Sequence, residues 1–224
     1  MTLTLVAILI LCLLYLPWNS MSNPVRIFCN LLFIPAMAFL ITSSLRGTAY
    51  IKWGIYDQTN TMINFHNWAG DEQVLDAGTG LGLLMVRAAK KLTTGKCVGV
   101  DIFDFPKGGK VIEQIKINAG LEGVAEKIKI IDANILNTNF GDDSFDLVFS
   151  NMWLNRFHSD SDVQKVCSEV IRILKKNGKA IISDKKNIDK LSKAFESNGL
   201  VVVKKAPTFF TDFINLKTII VYKT

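Results

Sequence analysis

The chain has 224 residues, 49% of them hydrophobic and 21% charged, with a formal net charge of +6 and a mean hydropathy of +0.26. This composition excludes a disordered chain, a collagen-like repeat and a disulfide-dense scaffold. The apolar residues are concentrated: Arg26 is the one charged residue between Met1 and Leu45, and the remainder carries a modest basic excess over a length that suits one domain. Cys12 and Cys29 lie in the apolar region, and Cys97 and Cys167 stand alone without C-x-x-C spacing. They read as reduced thiols of a cytosol-facing protein, and no metal site is expected.

In chain order, Thr2 to Leu16 is free of charge and is bounded by Pro17 and Trp18, which predicts a first membrane helix over about residues 2–17. A cleaved signal peptide is disfavoured, because no basic n-region and no A-x-A-like site precede Asn19. Val25 to Leu45 is long enough for a second span of about 21 residues, with Arg26 able to snorkel and Pro35 able to kink the helix without ending it. The short Pro17 to Pro24 connection makes the two a transmembrane hairpin. Arg46 and Lys52 follow the second span and place the large domain in the cytoplasm by the positive-inside tendency. Residues 46–70 are read as a linker with a helix, and residues 71–224 as the large domain.

Beyond Tyr56, short apolar strands alternate with amphipathic helices, which predicts a doubly wound, seven-stranded, mostly parallel sheet. Strands are expected at 73–77, 96–101, 127–131, 145–150, 179–183, 200–204 and 217–222. Helices are expected near 83–92, 110–119, 162–174 and 188–197. Asn118, Gly120, Asn177, Gly178, Asn198 and Gly199 are read as helix stops. The last two strands are expected to close the sheet as an antiparallel hairpin, with no helix between Lys205 and Leu216.

Val74-Leu75-Asp76-Ala77-Gly78-Thr79-Gly80-Leu81-Gly82 runs from a strand into a glycine-rich turn and then a helix, an arrangement that lets backbone approach a ligand closely. A dinucleotide fingerprint needs a third glycine at position 83, which is Leu83, and no Gly-Lys-Ser/Thr phosphate loop follows. The spacing is instead G-x-G-x-G behind an aspartate. Val98-Gly99-Val100-Asp101 then ends the next strand on a carboxylate, where an acid can accept from both hydroxyls of a ribose.

With Ile131-Asp132-Ala133, Phe145 to Asn151 and Glu169 to Lys179 following in the same order, the stretch from about Tyr50 to Thr224 resembles a class I S-adenosylmethionine-dependent methyltransferase. Gly70 to Asp76, Ala88 to Lys96 and Asn118 to Ala125 further resemble a membrane-anchored bacterial branch of that family. The resemblance implies S-adenosyl-L-methionine as cofactor. It places Asp76, Gly78, Thr79 and Gly80 around its methionine portion and Gly82 against the first helix. Asp101 would hold the ribose, Ile102 would lie beneath the adenine, and Asp132 and Ala133 would meet its edge, with a local backbone cap as the other reading of Asp132. Asn151 and Met152 would sit where donor and acceptor meet. The family's Asn/Asp-Pro-Pro-Tyr element is absent at Ser150-Asn151-Met152-Trp153, which argues against a nucleobase or glutamine-amide acceptor. Asn155 stands where related small-molecule enzymes carry a histidine, so His158 and Asn151 are the candidate catalytic residues, His158 as a base or as a solvated loop residue. His66, in the helical stretch before the first strand, is read as a packing residue.

Lid aromatics at Trp53, Tyr56, Phe65 and Trp68 share the segment that leaves the membrane, which favours a lipid, quinone or other hydrophobic acceptor. Lysines at 175, 176, 179, 185, 186, 190, 193, 204 and 205 could add attraction to anionic headgroups. Nucleic acid is not an expected partner, since no aromatic–basic stripe or reader motif occurs. A membrane-tethered protein methyltransferase and a non-catalytic cofactor-binding module are the alternative functions.

Overall fold

The computed structural model describes residues 20–103, 108–153, 156–157, 159–212 and 214–224. The first expected span, 2–17, lies outside the described residues, as do Asn155 and His158. Two compact units divide at Ile55.

In the first unit, helix α1 (Asn23–Ala49) carries Pro35 within it and buries none of its residues. By length and composition it can cross a bilayer. Thr42 and Thr48 donate their hydroxyls to the carbonyls of Ala38 and Ser44 one turn back, at 2.8 and 2.9 Å, so these two hydroxyls are satisfied within the helix. A π-helical turn, Tyr50–Gly54, follows.

Helix α2 (Ile55–Asn64) leads into the second unit, which starts at Tyr56 and continues with strand β1 (Gln73–Ala77), α3 (Leu83–Ala89), β2 (Lys96–Asp101), α4 (Gly108–Leu121) and β3 (Ile128–Asp132). It continues with β4 (Phe145–Asn151), α5 (Asp160–Ile173), β5 (Leu174–Asp184), α6 (Ile188–Ser197), β6 (Val201–Lys205), the short α7 (Phe209–Asp212) and β7 (Lys217–Tyr222). The sheet order is β3-β2-β1-β4-β5-β7-β6. The first five strands are parallel, and β7 enters antiparallel between β5 and β6.

Side chains alternate across the sheet and create two apolar layers. On one face Leu75, Val148, Ile182 and Val221 pack with Val163, Val170, Leu191 and Phe195 of α5 and α6. On the other, Val74, Leu147, Phe149 and Ile181 pack with Met62 and Ile63 of α2, Leu84 and Met85 of α3, and Ile115 of α4. Asp76, Asn151, Ser183 and Thr218 belong by alternation to this second face and form its upper edge, at the C-terminal ends of the parallel strands.

Several expectations are corrected. Asn118 and Gly120 lie inside α4, which ends beyond Leu121 where Gly123 takes φ +69°. Asn177 and Gly178 do not stop a helix either. Helix α5 ends at Ile173, and both residues fall within the long β5, whose pairing with β4 slips between Phe145 and Leu147. Asn198 and Gly199 do end α6, with Gly199 at φ +82°. A short helix, α7, occupies the segment expected to lack one. His66 lies past the end of α2, because the N–H groups of Phe65 and His66 bond three residues back and tighten the turn. Of the lysines, 175, 176 and 179 lie in β5, 185 and 186 follow it, and 204 and 205 end β6; Lys179 donates to Phe65 O, and Lys205 lies 5.4 Å from the centre of the Phe65 ring. Lys175, Lys190 and Lys204 are moreover paired with Asp146, Asp160 and Asp189.

Candidate active site

The turn after β1 is held to β2 by its own backbone. The N–H groups of Gly78 and Thr79 both donate to the carbonyl of Val100, at 2.8 and 3.1 Å, and Gly82 N–H closes the turn on Thr79 O at 2.8 Å. Gly78, Gly80 and Gly82 have φ of +82°, +53° and +78°. The alternate glycines are therefore a conformational requirement, since this region is costly for any residue with a Cβ. At Gly78 a Cβ would also collide with the indole of Trp153, whereas at Gly80 it would meet no heavy atom within 4 Å. Gly80 is the open side of the loop.

Asp76 is 2% exposed and turns inward. Its Oδ2 accepts from Thr79 Oγ1 at 2.9 Å, and it also accepts from the backbone of Met85. Burial pushes its carboxyl up to about 7 against these bonds, with the charge of Asp101 adding to the rise. Asp76 and Thr79 thus brace the loop from below. Gly99, paired with Asp76 in register, makes room for this brace, because a Cβ there would meet Met85 Sδ and Thr79 Oγ1 at 2.5 and 2.9 Å.

Asp101, 4% exposed, ends β2 beside the loop. Its Oδ2 accepts Gly80 N–H at 2.9 Å and its Oδ1 accepts Ile102 N–H at 2.8 Å. Ile102 remains 37% exposed next to it. Asp132, paired with Asp101 across β2 and β3, accepts from Phe103 N–H at 3.2 Å, so its carboxylate caps local backbone, and Ala133 N–H donates to Asp101 O. At the end of β4, Ser150 Oγ, Asn151 Oδ1 and Trp153 Nε1 are buried with no hydrogen-bond partner among the described residues. Three orphaned polar atoms within four residues mark the place where a ligand would supply the missing partners. Met152 between them has φ +56° and donates its N–H to Ser183 O at 2.8 Å. Hydrogen bonds therefore join Gly80 and Ile102 to Asp101, Asp76, Thr79 and Asp132 make supporting bonds, and Asn151 stands at the end of β4, the strand beside β1. Candidate base His158 lies outside the described residues.

Reading the sequence missed three contributors. Trp153 packs on Gly78 and meets Phe157 edge-on at 4.8 Å between ring centres. Arg156 places a guanidinium nitrogen 3.5 Å from Asp101. Gln58, 1% exposed on α2, donates to Ser183 Oγ at 2.6 Å, and Ser183 pairs in register with Asn151. No local pattern in the sequence distinguishes these residues from ordinary loop or helix positions.

A sheet of this order with a glycine turn after β1 and an acid at the end of β2 defines a class I S-adenosylmethionine-dependent methyltransferase. The family profile described as "Methyltransferase domain" matches residues 69–212, and the chain belongs to that family. It is 34% identical over 135 residues to the ribosomal protein L11 methyltransferase of Dictyoglomus thermophilum, a match covering 58% of this chain and 39% of the relative. It is 28% identical over 144 residues to the 2-phytyl-1,4-naphtoquinone methyltransferase of Trichormus variabilis, covering 58% and 59%. The chain thus spans well under two thirds of the length of these relatives. Among solved structures, a SAM-dependent methyltransferase from Aquifex aeolicus superposes with a TM-score of 0.59 at 15% identity, over 74% of this chain and 88% of its own. The residues present fit S-adenosylmethionine: an open glycine, a buried carboxylate beside it, a half-exposed aliphatic surface and an orphaned amide oxygen suit the parts of an amino-acid nucleoside.

Proposed function

We propose that this protein is an integral-membrane methyltransferase that moves a methyl group from S-adenosylmethionine to a hydrophobic or membrane-resident acceptor such as a lipid or quinone, with its catalytic domain on the cytoplasmic side. The observation that carries this reading is where the chain enters the domain. Helix α1 leaves Phe28, Leu31 and Phe39 between 63% and 70% exposed, an apolar surface suited to hydrocarbon. Only Tyr50 to Ile55 separate it from the second unit, whose first helix starts at the cofactor end of the sheet. There Gln58 bonds Ser183 and Thr218, and Asp57 accepts from Thr208 Oγ1 at 2.9 Å.

The bound cofactor supplies an already activated methyl group on a sulfonium. The protein's work is then alignment, a task of proximity and orientation. Asp101, held by the N–H of Gly80, fixes one end of the site, the Asp76–Thr79 brace keeps the loop in its left-handed conformation, and the amide oxygen of Asn151 offers hydrogen-bonding capacity where the acceptor would arrive. A protein acceptor is the second reading, favoured by the 34% identity to a ribosomal protein methyltransferase.

Full-length protein, methyl-labelled cofactor and total host membranes separate these readings. Label partitioning into the organic phase is the expected result. Label confined to protein bands would replace it with the second reading, and cofactor binding without transfer would leave a non-catalytic module.

A further inference from the structure

We propose that Arg156 competes with the cofactor's ribose for Asp101 and thereby sets the affinity for both the methyl donor and its demethylated product. The inference rests on Asp101 being the ribose acceptor, the reading adopted above.

The case is one of counting acceptors. A carboxylate offers about four lone-pair positions on its two oxygens. In Asp101 two are taken by backbone donors, Gly80 N–H at 2.9 Å and Ile102 N–H at 2.8 Å, and the guanidinium of Arg156 lies 3.5 Å from Oδ1. Two ribose hydroxyls would take the two positions left, and the guanidinium of Arg156, at ion-pair distance from Oδ1, stands beside them and has to give way. The backbone donors are fixed by the turn and by the end of β2. Arg156 is the displaceable one, with 49% of its side chain exposed against 6% for Asp101.

Its position is also held from both sides. Trp153 is pressed on Gly78 and stacked edge-on against Phe157, whose carbonyl accepts from Asn187 Nδ2 at 2.9 Å. The backbone that carries Arg156 is therefore anchored beside the acid, within reach of its guanidinium when the nucleoside leaves. A buried carboxylate stripped of its ligand would otherwise lack a compensating charge. The consequence is weaker binding of any adenosyl ligand and faster release of the product.

The test is isothermal titration of S-adenosylhomocysteine into the full-length protein in detergent, at low and high sodium chloride, for wild type, Arg156→Gln, Arg156→Lys and Asp101→Asn. An exposed ion pair is worth up to about 1 kcal/mol, so Arg156→Gln should tighten binding about two- to fivefold, with Arg156→Lys in between. Salt screens the competing pair, so wild-type affinity should rise with ionic strength toward that of Arg156→Gln, which should stay flat. Equal or weaker binding by Arg156→Gln overturns the proposal and, if weaker, makes Arg156 a cofactor ligand. Asp101→Asn separates the two levels. If it weakens binding while Arg156→Gln changes nothing, the competition fails and the ribose reading stands; if it leaves binding unchanged, both fall.

Discussion

Thr79 Oγ1 and Asp76 Oδ2 lie 2.9 Å apart beneath the glycine turn, and this bond ties the end of β1 to the loop that follows it. The carboxylate beneath it is almost wholly buried, which makes its ionisation a property of the fold as well as of the site.

Asp76 gives stability a pH dependence of unusual sign for a carboxylate. Its folded pKa is about 7 against an ordinary 3.8, so between those values the native state holds a proton that the unfolded chain releases. Stability from this group falls as pH rises through that window and is level above it. Denaturant titrations at pH 5 and pH 7.5 should show Asp76→Asn removing a slope of up to about 1.4 kcal/mol per pH unit. A slope identical to that of wild type would contradict the burial effect.

His66 works in the opposite direction. Burial lowers its pKa, against its bond to Glu72 Oε1 at 3.1 Å, and its Nδ1 is buried without a partner among the described residues. Burial would raise Glu72, but the N–H groups of Ala69 and Gly70 and the ring of His66 hold it below the ordinary value. Protonating His66 therefore costs more in the folded state than in the unfolded one, and stability is lost as pH falls below about 6.5. In His66→Gln, the thermal midpoint at pH 5.5 should rise relative to that at pH 7.5, compared with wild type.

Two neighbouring glycines should separate folding from binding. Gly78→Ala places a Cβ against the Trp153 ring at a positive φ, and should cost about 2–4 kcal/mol of stability in urea unfolding. Gly80→Ala enters open space and carries only the conformational penalty, about 1 kcal/mol. It should nevertheless lose at least tenfold in S-adenosylhomocysteine affinity, because the added methyl stands where the ligand approaches. Equal stability losses in the two variants would remove the distinction.

Deleting residues 1–45 should leave a domain that binds cofactor with unchanged affinity, since the compact second unit starts at Tyr56. Methyl transfer to native membranes should fall sharply. Undiminished transfer would refute the role given to the apolar helix.

The sequence by itself determined what short-range chemistry decides. The limits of β1, β2, β7 and α6 follow from local apolar patterns and stop residues, and the G-x-G-x-G spacing follows from a turn that needs left-handed backbone at alternate positions. The family resemblance placed Asp101 beside that turn for the same reason. Tertiary structure alone decided that β7 slots between β5 and β6 and that Asn177 and Gly178 extend a strand. It alone also set Arg156 on Asp101, Trp153 on Gly78 and Gln58 on Ser183, the last pair 125 residues apart in sequence. Periodicity and backbone preference act over a few residues, whereas these contacts exist because the assembled sheet and the two packed layers bring distant side chains to one edge.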